Sequence, residues 1–135
     1  MPEKKTLARA RAAKREGKAP TTQAGEFVHE EMEHIREGKH GARSTKQAIA
    51  IGLSKARRAG VKLKPPRKGQ ASARTRKSAA RAYRAGQSGT RKKTSPTRSR
   101  ATKRALKREP RRAASRSALS KQARSAAKRR RRATA

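Results

Sequence analysis

The run Lys128-Arg129-Arg130-Arg131-Arg132, in a chain that contains no aspartate, is of a chemistry suited to polyanions. Residues 64–135 hold 27 Lys or Arg against the single Glu109, and the whole chain of 135 residues carries a formal charge of +34 with histidine neutral. An excess of this size repels itself and opposes compaction until an anionic partner discharges it. Duplex DNA presents one charge per roughly 1.7 Å of axis, and each neutralised phosphate adds about 0.9 to the slope of log affinity against log salt. The cations placed to meet phosphates begin with Lys46, Lys55, Arg57 and Arg58 in the middle of the chain. They continue through Arg74, Arg76, Lys77, Arg81, Arg84, Arg91, Lys92 and Lys93. Arg98, Arg100, Lys103, Arg104, Lys107, Arg108, Arg111 and Arg112 follow, and the closing five complete the set.

Other chemistry is poorly supplied. Without cysteine there is neither a disulfide nor a thiolate metal site, which is compatible with a reducing intracellular compartment. His29 and His34 flank acidic residues but are five apart, about 140° from each other around a helix, so the zinc-helix spacing fails. No metal, cofactor or small-molecule substrate is expected. An enzyme is disfavoured because no large core is available in which a pocket could tune a pKa. The start, Met1-Pro2-Glu3-Lys4-Lys5, leads into no apolar run, and no window approaches the roughly 18 apolar residues of a membrane span. A soluble protein of the cytoplasm and nucleoid is the expectation.

The positioning elements must come from very little apolar material. Leu, Ile, Val and Phe number only 11, about 8% of the chain, whereas alanine supplies 27 residues. Highly charged chains with so few large apolar residues are expected to be disordered. Eight of the 11 lie in residues 23–63, the one stretch with balanced charge. Three segments follow: a basic, helix-prone stretch over 1–22, a helical hairpin over 23–63, and a Lys/Arg/Ala/Ser-rich tail over 64–135. The predicted fold class is mostly α with extensive disorder.

In the middle segment, Ala24, Val28, Met32 and Ile35 recur at helical spacing beside Phe27, predicting a helix over about 24–37 that ends near Gly38. Ser44-Thr45-Lys46-Gln47 matches a capping box. A second helix over about 45–59 then buries Ala48, Ile49, Gly52, Leu53 and Ala56, with Gly60 as its left-handed stop before Pro65-Pro66. The pair forms an αα-hairpin that is marginal alone and is expected to homodimerise through Val28, Met32, Ile49 and Leu53 or to gain stability on binding. The N-terminal segment is expected to fray, with Gly17, Pro20, Thr21 and Thr22 as a linker. The tail is expected to be disordered when free. Breaks fall at Gly86, Gly89, Pro96 and Pro110, between helix-capable pieces near 71–85, 99–108 and 115–132 that fold on binding phosphate.

Sequence readout is weakly supported. A helix-turn-helix would expose Lys46, Gln47, Ser54, Lys55, Arg57 and Arg58, but Gln47 is already explained as a cap. Phe27 and Tyr83 are the only aromatics, so base stacking on rings is limited. Arginine exceeds lysine by 25 to 17, which keeps RNA open as a partner. Glu26, Glu30, Glu33 and Glu37 form an acidic stripe on the first central helix, a solvated face or a surface for basic segments. Non-sequence-specific DNA binding of nucleoid-associated or histone-like type is the leading expectation, and an RNA- or ribosome-associated role is the alternative.

The stretches Gly25-Glu26-Phe27-Val28-His29-Glu30 and Lys39-His40-Gly41, with Ser44-Thr45-Lys46-Gln47-Ala48-Ile49-Ala50-Ile51-Gly52-Leu53-Ser54-Lys55-Ala56-Arg57, resemble a family of small, basic bacterial proteins known only as a domain of unknown function. The resemblance covers about residues 24–63, is most distinctive over 46–57, and implies no catalytic residue. Lys55 departs from the acidic residue usual at that position. In composition alone, the tail resembles the basic arms of linker histones and bacterial histone-like proteins.

Overall fold

A computed structural model describes residues 2–89 and 93–134. The described residues form six α-helices: α1 (Lys4–Arg15), α2 (Pro20–Arg36), α3 (Thr45–Arg58), α4 (Ala73–Ser88), α5 (Pro96–Arg108) and α6 (Arg116–Thr134). A 3-10 turn, Arg112–Ala114, precedes α6. Among the described residues there is no β-strand, only an isolated bridge between Lys68 and Ala71.

Both central helices form, and their ends obey local chemistry. Ser44 Oγ accepts from the Gln47 N–H at 3.1 Å, while Gln47 Oε1 accepts from the N–H of Arg43 at 2.6 Å. The box is therefore closed one residue earlier than the Ser44 donor that the pattern specifies. At the other end of α3, Gly60 adopts φ +100°. Its N–H donates to the Arg57 carbonyl, and that of Val61 reaches back to Ala56. This double closure satisfies carbonyls that the helix end would orphan, and it drops Val61 into the same apolar cluster as Ala56.

The chain divides into two compact units. The first comprises Met1–Glu31 with Ala50–Lys93. Its core joins Ala10, Ala24, Phe27, Ala56 and Val61, with Leu7, Leu53 and Leu63 packed at the edge. A Cβ at Gly52 would lie 2.7 Å from the Val28 Cα, so the two backbones meet almost directly there. The second unit comprises Met32–Ile49 with Thr94–Ala135 and buries Met32, Ile35, Ala42, Ala48, Ala113 and Ala114. Backbone bonds tie its two strips of chain: Gly41 N–H to Leu106 O at 2.8 Å and Ala42 N–H to Pro110 O at 3.1 Å. Thr45 Oγ1 donates to Ala113 O at 2.7 Å, and Arg36 Nε donates to Ala114 O at 2.9 Å.

Four expectations are corrected. Apart from residues 90–92 and 135, which are not described, the region expected to be a disordered tail is ordered from residue 64 onward and mostly helical. Counting large apolar residues underestimated it, because Ala79, Ala82, Ala113 and Ala114 are buried and small residues let backbones approach closely. Local signals add to this. Ser72 Oγ accepts from Thr75 N–H at the start of α4, Pro96 opens α5 as a first-turn residue, and alanine and arginine are both strong helix formers. Gly86, expected as a break, lies inside α4. The N-terminal segment does not fray: Thr6, Ala10 and Ala13 of α1 are buried, and Glu30 Oε1 accepts from Glu3 N–H at 2.6 Å and from Thr6 Oγ1 at 3.1 Å. Pro20, expected in a linker, is the first residue of α2. A proline's missing N–H costs nothing in a first helical turn.

Candidate nucleic-acid interface

The predicted cations fall into two classes, those that hold the fold and those that face solvent. Lys55 and Arg57 belong to the first. Lys55 Nζ is paired with the carboxylate of Glu31, which is 1% exposed. Arg57 is 7% exposed; its Nε donates to Leu63 O at 3.1 Å and its Nη2 to Lys64 O at 3.3 Å. Burial lowers the Arg57 pKa from its ordinary value, since the charged form loses hydration. Arg76 is half-buried, and its Nε is enclosed without a hydrogen-bond partner. Sequence reasoning had no signal for these roles, because the partners of Arg57 are carbonyls and the partner of Lys55 lies 24 residues away.

Solvent-facing cations are organised into stripes by the three C-terminal helices. In α4, Arg74, Lys77, Arg81 and Arg84 fall within an arc of about 80° at ~100° per residue, away from the buried Ala79 and Ala82. Arg100, Lys103, Arg104, Lys107 and Arg108 occupy about 140° of α5, Arg98 stands apart, and no residue of that helix is buried. In α6, Lys128, Arg131 and Arg132 join Lys121 and Arg124 in an arc of about 100°, opposite Leu119 and Ala126. Arg129 and Arg130 project elsewhere and are also exposed, as are Lys46, Arg58, Lys93, Arg111 and Arg112. Arg91 and Lys92 lie outside the described residues.

The α6 stripe places a cation roughly every 4 Å along the helix axis, given a rise of about 1.5 Å per residue. One strand of duplex DNA carries a charge about every 3.4 Å. The densities are similar. Among the described residues, ion pairs join Glu3 to Lys5, Glu16 to Lys18, Glu37 to Lys39 and Glu31 to Lys55, and each of these cations lies at or before position 55.

The acidic stripe of α2 is not uniformly solvated. Glu30 is buried and holds α1, Glu26 and Glu33 are half-buried, and Glu37 is exposed. His29 is exposed, while the rings of His34 and His40 meet edge to face at 6.1 Å. Of the side chains expected to support self-association, Met32 is buried within the single chain, and Val28, Ile49 and Leu53 are half-buried. No helix among the described residues is long and apolar enough to cross a membrane.

No curated protein and no solved structure matches the chain significantly. Residues 21–69, which hold α2 from its second residue, α3 and the cap at Gly60, match the model of a family of unknown function (DUF6496), and that part of the chain is similar to this family.

Proposed function

We propose that the protein is a non-enzymatic, non-sequence-specific DNA-binding protein of nucleoid-associated or histone-like type, which neutralises and compacts nucleic acid through the cation stripes of α4, α5 and α6. The observation that carries this reading is the exposure of those cations without acidic partners among the described residues. Duplex DNA carries a condensed counterion atmosphere, and cations that neutralise its phosphates release it, which supplies the drive. Helical stripes also bring cations to phosphates with part of the ordering cost already met, unlike a disordered arm.

Competition binding tests the reading. Labelled duplexes of unrelated sequence should bind with similar affinity and a steep log-log dependence on sodium chloride, with little displacement advantage for structured RNA. A strong RNA preference that survives raised salt would instead favour the RNA- or ribosome-associated role, which the predominance of arginine supports through guanidinium stacking. Failure to bind either polymer in dilute buffer would refute both.

A further inference from the structure

A cleft of about 370 Å³ opens between the start of α3 and the start of α6, wholly within the second unit. Three cations reach it from three separate elements: Arg43 from the loop before α3, Arg112 from the 3-10 turn, and Lys121 from the second turn of α6. No acidic side chain lines it. On an ordinary solvated helix face, like charges diverge, but here the Thr45 to Ala113 hydrogen bond fixes two of the contributing strips together, so the positive potentials add in a concave site.

Hydroxyls also stand at its wall. Ser44 Oγ accepts from the Gln47 N–H, which leaves its own proton for another acceptor. Ser117 shares a 3.3 Å contact with Ser115, whose oxygen accepts from the Ala118 N–H. The three cations carry the argument, and these donors refine the shape of the ligand they suit.

We propose that this cleft seats a single phosphate group, with Arg43, Arg112 and Lys121 as its counter-charges and Ser44 and Ser117 as hydroxyl donors. That chemistry is shared by inorganic phosphate and by the phosphodiester of a nucleic-acid backbone. The second source rests on the DNA-binding reading above, whereas the first does not.

The test uses the full chain. Inorganic phosphate is exchanged for chloride at constant ionic strength while ¹⁵N–¹H spectra are recorded. Saturable shifts are expected at residues 44–46 and 116–118, absent in the Arg112→Gln/Lys121→Gln variant and restored in Arg112→Lys/Lys121→Arg. Unchanged amide dispersion elsewhere shows that each variant is folded. The absence of saturable shifts in the unaltered chain overturns the proposal, whatever DNA does.

DNA affinity then identifies the source. The Arg112→Gln/Lys121→Gln variant is compared with Arg129→Gln/Arg131→Gln, which loses the same charge outside the cleft. A loss about tenfold greater for the cleft variant shows that a backbone phosphate occupies the site, since a charge-assisted hydrogen bond is worth more than a diffuse charge. Equal losses assign the cleft to free phosphate and leave DNA binding standing. Saturable phosphate shifts in a chain that binds no DNA would support the cleft and refute the broader function.

Discussion

Gly86 of α4 rests on the carbonyl of Arg57 at the end of α3: a Cβ at position 86 would lie 1.7 Å from that oxygen. No side chain can be accommodated without moving one backbone away from the other. Gln87 adds a hydrogen bond from its Nε2 to Gly60 O at 3.1 Å in the same place. Gly86→Ala is therefore expected to destabilise the chain by about 1–3 kcal/mol, the usual scale of overpacking, even though alanine is the better helix former. Urea unfolding followed by circular dichroism checks this; a stabilised variant would show that α4 does not dock at Arg57.

Glu31 and Lys55 form an ion pair in which the carboxylate is almost wholly enclosed. Removing the cation takes a counter-charge away from an enclosed carboxylate. Lys55→Met should cost about 3 kcal/mol, and the double variant Glu31→Gln/Lys55→Met should recover most of the loss. Additive losses in the thermodynamic cycle would argue against direct coupling.

The cap of α3 separates two explanations of Gln47. Ser44→Ala should cost about 1 kcal/mol by removing the acceptor for the Gln47 N–H. Gln47→Ala should cost less and leave the ratio of affinities for A·T-rich and G·C-rich duplexes unchanged. A changed ratio would mean that the side chain reads bases.

Helix content should be complete before any nucleic acid is added. Far-UV circular dichroism of the free chain is expected to report the six helices, and saturating duplex DNA should raise the signal little. A large gain on addition would restore a region that folds only on binding.

Neutralising the end of α6 tests how many of its cations meet phosphates. Lys128, Arg129, Arg130, Arg131 and Arg132 replaced together by Gln should reduce the log-log salt slope by roughly 0.9 for each lost contact, up to about 4.5. Fluorescence anisotropy across a sodium chloride series measures it. An unchanged slope would remove this helix from the interface.

The central helices were legible because their signals are local. Ala24, Val28, Met32 and Ile35 declare a helical period, Ser44 and Gln47 declare a start, and Gly60 declares a stop, all within a few residues. The boundaries near Pro96 and Pro110 were legible for the same reason. What could not be read was the burial of alanines far apart in sequence, because an alanine looks the same on a solvated face as beneath a neighbouring backbone. Gly86 shows the difficulty most plainly: its residue type signals a break, and only its approach to Arg57, 29 positions earlier, makes it an interior helical residue. For the interface, net charge suggests a class of partner but could not sort cations by job. Lys55 and Arg57 read as phosphate ligands until Glu31 and the Leu63 and Lys64 carbonyls are seen beside them.

An interior built largely from methyl groups hides little hydrocarbon for the number of residues it orders. The heat-capacity increment on melting should accordingly be small for a chain of this length, since that increment follows the apolar area released. Its stability should vary gently with temperature, and cooling should weaken it less than it weakens domains centred on leucine and phenylalanine.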